Sequence, residues 1–114
     1  MEGGFLASID FSPERKIMRT KKKYVIVRTY SAGCFAGFLE KRNGKEVTLS
    51  IARRLWYWVG AASLSQLAME GTKEPTNCKF PCPVNSITLT EVIEIIDTTI
   101  KAQKNIEAVP LWQK

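Results

Sequence analysis

Two arginine-bearing, aromatic stretches hold the side chains best suited to chemistry: RRLWYW at residues 53–58 and YVIVRTY at residues 24–30. A guanidinium beside aromatic rings can grip a phosphate through two parallel N–H donors while a ring stacks on a base. Strand alternation sets Tyr24, Ile26, Arg28 and Tyr30 on one face. It sets Arg53 with Leu55 and Tyr57, and Arg54 with Trp56 and Trp58. The competing reading makes the arginines ion-pair partners of Glu40, Glu91 or Glu94 across a sheet, with the tryptophans as core. Charge pattern alone favours that second reading.

The residues that are missing exclude more than those present imply. The chain has no histidine, which removes Ser-His and Cys-His nucleophilic sites, His-ligated zinc and imidazole proton transfer. No phosphate-cradling glycine loop and no G-x-S-x-G elbow occur. Glu91 and Glu94 are three apart in strand-like sequence, so they face opposite ways and form no acid/base pair. Cys78 and Cys82 lie in NCKFPCPVN, and only Cys34 could add a third sulfur. Zinc sites want four such ligands, so small buried thiols in a proline-rich loop are expected instead, with no metal and no cofactor. An odd thiol count and an N-terminus without an apolar leader point to a reduced, cytoplasmic setting.

The elements that would position these groups follow from the patterning. With 114 residues, 45% of them hydrophobic and 25% charged, the chain suits one globular domain. The formal charge is +6, and Arg15, Lys16, Arg19, Lys21, Lys22 and Lys23 form its one basic block. Residues 1–20 read as a flexible N-terminal extension, and residues 21–114 as a single domain. Residues 22–30 and 34–41 read as strands around a turn at Ser31-Ala32-Gly33. Asn43-Gly44 predicts a type I′ hairpin turn, with residues 46–50 as the return strand. Residues 51–58 extend that strand or start another after a bulge.

Gly60 interrupts the pattern. Residues 61–70 predict a helix with Leu64, Leu67 and Ala68 on one stripe and Gly71 closing it. Residues 72–85 form a loop, and residues 87–96 a further strand. Residues 98–109 predict a second helix, capped by Thr98 or Thr99, with Ile100, Ile106 and Val109 facing inward. Pro110 ends it, and Leu111-Trp112 docks the C-terminus. The sum is an α+β fold: an antiparallel sheet of four to five strands packed with two helices.

VRTYSAGCFAGFLE and ARRLWYWVGAASLSQLA, with NCKFPCPVNSITLTEVIEII and a terminal IEAVPLWQK, carry a resemblance that spans about residues 21–114. The chain resembles the first-described Thoeris anti-defence family, phage "sponge" proteins that sequester cyclic ADP-ribose-type signals. The resemblance implies a protein that binds such a signal without cleaving it, in the cytoplasm of an infected bacterium. Some family members also take cyclic oligonucleotides. It further implies a homo-oligomer, dimer or hexamer, with ligand sites at contacts between subunits. No membrane association and no stable DNA complex are expected.

Chemistry and motif membership together nominate the ligand contacts. Arg28 and one of Arg53 or Arg54 would hold a pyrophosphate, with Phe35 or an aromatic from Trp56, Tyr57 and Trp58, Trp56 first, stacking on the adenine. Asn77 or Lys79 would touch ribose or phosphate edges. Trp56, Tyr57 and Trp58 are consecutive, so at least one ring must face outward and offer a contact between copies. Two other readings compete: a nucleic-acid-binding or defence-complex-binding phage protein using its basic, aromatic face, and a particle assembly protein for which RRLWYW is only an interface.

Overall fold

The computed structural model describes residues 22–113. The extension read over residues 1–20, and Lys21 of the basic block, lie outside the described residues. Tyr-Val-Ile-Val is apolar on both alternating faces, and the strand it forms is covered on both: in β1 (Tyr24–Thr29) only Arg28 is exposed. β2 (Cys34–Asn43), β3 (Glu46–Arg54), β4 (Val84–Leu89) and β5 (Val92–Asp97) complete a sheet in the order β4-β3-β2-β1-β5, antiparallel throughout. Val25, Val27, Phe35, Val47 and Leu49 fill a core on one face. On the other, Tyr24, Ile26 and Ala36 meet Leu67 and Ala68 of α1 (Leu64–Glu70) and Ile106 of α2 (Ile100–Ala108). This is the α+β architecture that the patterning implies.

The hairpin turn falls one residue later than Asn43-Gly44 suggests. Asn43 pairs with Glu46, leaving Gly44 and Lys45 as the loop. Gly44 takes φ 63° while Lys45 stays at negative φ, the pattern of a II′ turn, which needs glycine only at its first central position. β3 does run on past Ser50, through a bulge. Ala36 pairs with Arg53 and Phe38 with Ser50, so Gly37 faces one residue too many. There Ile51 sits at φ 47°, unfavourable for a β-branched side chain. A Cβ on Gly37 would come within 3.0 Å of the Ala52 Cα and 3.1 Å of the Ser50 carbonyl oxygen. The close approach of two backbones at the bulge demands the glycine.

The single strand expected over residues 87–96 is two. β4 and β5 occupy opposite edges of the sheet, yet only Thr90 and Glu91 separate them. The sheet must therefore curl until its edges meet at that corner. Tyr30 N–H donates to the Glu91 carbonyl (2.9 Å) and Val92 N–H to the Lys45 carbonyl (3.0 Å), fixing the corner to both neighbouring loops. Neither Gly nor Pro marks the turn, so hydrophobic periodicity runs straight through it.

Both helices start at their caps rather than before them. Ser63 Oγ accepts from Gln66 N–H (3.1 Å) and Thr99 Oγ1 from Ala102 N–H (3.0 Å). α1 closes on Gly71 at φ 78°. Leu67 and Ala68 are buried. Ile100, the first residue of α2 and expected inward, is 71% exposed, whereas Ile106 and Val109 are buried as expected.

Candidate functional site

RRLWYW splits between inside and outside. Arg53 is 3% exposed, under the C-terminal end of α2. Its Nε donates to the Pro81 carbonyl (3.0 Å), Nη1 to Ile106 (2.9 Å), and Nη2 to Phe80 (3.0 Å) and Pro110 (3.2 Å). The guanidinium also lies 5.6 Å from the centre of the Phe80 ring. Arg53 thus ties β3, the loop before β4 and the C-terminal segment into one unit. Burial pushes its pKa below the ordinary value.

The other arginines sit on opposite faces of the sheet. Arg28 pairs across from Cys34, and Arg54 from the adjacent Phe35. Arg28 Nε meets Glu94 Oε1 at 2.8 Å, as the ion-pair reading expected. Arg54 donates to the Ala32 carbonyl (2.8 Å) and lies 4.4 Å over the Phe35 ring. Phe35 is buried beneath it, so no external base reaches that ring. Within one chain the residues nominated for a two-arginine clamp are not brought together. Asn77, in the short turn Pro75–Asn77, donates to Glu74 Oε1 (3.2 Å).

Trp56 and Lys79 do meet a common neighbour, Trp112, through pairings outside the main sheet. Tyr57 bridges Lys79, with N–H to carbonyl bonds of 3.3 and 2.7 Å. Phe80 in turn bridges Leu111, and Trp112 N–H donates to the Phe80 carbonyl (3.1 Å). The C-terminus is docked as anticipated, and its docking places Trp112 parallel to Trp56: ring centres 6.4 Å apart, planes 6° from parallel. Lys79 Nζ lies 5.5 Å from the Tyr57 ring centre and 5.6 Å from that of Trp112. Trp56 is 63% exposed, leaving ring surface for a ligand. Trp58 instead packs against the core.

Sequence reasoning assigned Trp112 to C-terminal docking alone. The available signal was a tryptophan two residues after a helix-ending proline, too far along the chain from Trp56 for any local pattern to link them.

The cysteines separate too. Cys78 is buried against the Val59 carbonyl and Thr72, whereas Cys82 is exposed, contrary to the expectation that both are covered. Burial pushes the Cys34 thiol up, away from the thiolate a nucleophile needs. Among the described residues no three His, Cys, Asp or Glu side chains group as a metal site, and no helix is long and apolar enough to cross a membrane.

A family model, a domain of unknown function (DUF6948), matches residues 22–106. The chain belongs to that family. Its matched segment holds all five strands, Trp56 and Lys79, and stops short of Trp112. No curated protein and no solved structure matches the chain. The Trp56–Lys79–Trp112 surface therefore has to be read by its own chemistry. Parallel indoles offer stacking area to a planar group, and the adjacent ammonium offers one positive charge to an anion.

Proposed function

We propose that this chain is a binding protein that takes a planar, anionic ligand of the nucleotide class on the Trp56–Lys79–Trp112 surface and releases it unchanged. The parallel tryptophan pair beside a lysine carries the reading. Stacking tolerates any base, while one lysine gives the phosphate a point charge rather than a fork. The ligand we favour is the cyclic ADP-ribose-type signal that the sequence resemblance implies, sequestered in the cytoplasm of an infected bacterium so that Thoeris defence stays silent. The protein acts as a homo-oligomer, with the open ring faces completed by a second copy.

Native mass spectrometry of the protein purified from cells making the signal tests this directly. The expected result is an oligomer that retains an intact nucleotide. A hydrolysed or linearised nucleotide would turn the search to an enzyme. The same aromatic surface and the +6 charge also suit a nucleic-acid strand. That alternative predicts affinity falling steeply with salt, in proportion to the phosphates contacted.

A further inference from the structure

A cavity of about 220 Å³ opens between β1, β3 and the end of α2, lined by Tyr24, Ile51, Arg53, Pro83, Glu107 and Leu111. It lies beside the Arg53 brace rather than on the tryptophan surface. We propose that this cavity is a second binding site, for a small neutral heterocycle with a lactam edge: a ring carbonyl next to a ring N–H, as in uracil or the six-membered ring of guanine. The inference does not depend on the function proposed above.

Unspent polar groups on the cavity wall carry it. A guanidinium has five N–H donors, and Arg53 places four on carbonyls. Among the described residues no carboxylate stands within ion-pair distance of it. Tyr24 is 5% exposed, and its hydroxyl has no hydrogen-bond partner among the described residues. A buried hydroxyl normally has one, so this hydroxyl is available to a ligand in the cavity. Glu107 and Arg53, which line the same cavity, both act electrostatically on the hydroxyl. Burial keeps the phenol protonated well beyond neutral pH, so it is a donor.

The donors and the acceptor sit on different groups. Tyr24 O–H and the remaining Arg53 N–H offer hydrogens to a carbonyl oxygen, while the exposed Glu107 carboxylate accepts from an N–H. A simple anion would meet Glu107 as a like charge, and a hydrocarbon would leave the hydroxyl unpaired. A lactam edge satisfies both sides. Size agrees: a cavity of about 150 Å³ already holds a benzene ring. Ile51, held at φ 47°, is half-exposed on the wall, and strain of that kind concentrates at functional sites.

Titration of the full chain with uracil, followed by calorimetry and by amide chemical shifts, tests the site. Uracil should bind saturably and shift the resonances of Tyr24 and Leu111. 1,3-Dimethyluracil, which keeps both carbonyls but lacks N–H, should bind at least tenfold more weakly. Tyr24→Phe should weaken uracil binding about tenfold. Glu107→Ala, an exposed change that removes the acceptor and cannot disturb the core, should weaken it similarly and decides the matter if Tyr24→Phe fails to fold. Nucleotide binding at Trp112 should survive both substitutions. No saturable uracil binding, equal binding of the dimethyl analogue, or an unaffected Glu107→Ala variant would each overturn the proposal.

Discussion

Arg53 and Lys79 are both cations next to aromatic rings, and they have opposite fates. Arg53 is enclosed and spends its donors on four carbonyls, while Lys79 stands over two rings at the surface with its ammonium left to solvent. What separates them is the backbone around each. Arg53 faces helix-end and loop carbonyls, of which Pro81 and Pro110 have no other partner among the described residues, so the protein needs its fork internally. Lys79 sits where strand-like bridges already pair the backbone, so its charge is surplus. A positive residue near aromatics thus offers its whole charge to a ligand only where the local backbone does not claim it, and Arg53 keeps a single N–H for the cavity beside it.

The sharpest break to that contrast is Arg53→Met, which orphans the Pro81 and Pro110 carbonyls and takes one bond each from Ile106 and Phe80. We expect a loss of about 3–5 kcal/mol in urea unfolding, with Arg53→Lys recovering little of it. A loss below about 1 kcal/mol would show that the brace is not structural. The surface should behave conversely. Trp112→Ala should cut nucleotide affinity about tenfold to hundredfold in calorimetric titration while leaving the unfolding midpoint nearly fixed. Lys79→Met should cost less, about fivefold at low salt, and its difference from the parent should shrink as salt rises.

The smallest effect belongs to an exposed pair. Lys22 and, after it, Ser50 hold the Glu40 carboxyl below its ordinary value of 4.5. A folded-state value lowered in this way stabilises the protein above pH 4.5 and is lost as pH falls below it. Acid titration of stability should therefore show a slightly shallower drop in Lys22→Met than in the parent. A parallel curve would leave the pair without a role.

Legibility in the sequence followed how local each signal was. Tyr-Val-Ile-Val, the glycine hairpin and the threonine cap of α2 are written in neighbouring residues, and the structure holds them at or within a residue of their expected places. The β4–β5 corner was invisible because Thr90 and Glu91 are ordinary strand residues by type. Which of Arg53 and Arg54 turns inward depended on alternation, and the bulge at Ile51 breaks the phase by one residue. Trp56 and Lys79 could be nominated singly, but their meeting with Trp112 rests on two isolated bridges between distant segments.

The corner at Thr90 and Glu91 also sets the order in which the molecule can be made. β1 reaches its second neighbour only through β5, with Arg28 and Glu94 lying 66 residues apart. Pairings of such long range fold slowly, because the loop between them must be closed before any contact rewards it. As the chain leaves the ribosome, β1, β2 and β3 can associate early, but Tyr-Val-Ile-Val keeps one bare edge until β5 has emerged. For that interval the most apolar strand of the protein is its most aggregation-prone segment, so yield at high expression temperature should depend on β5 more than on either helix.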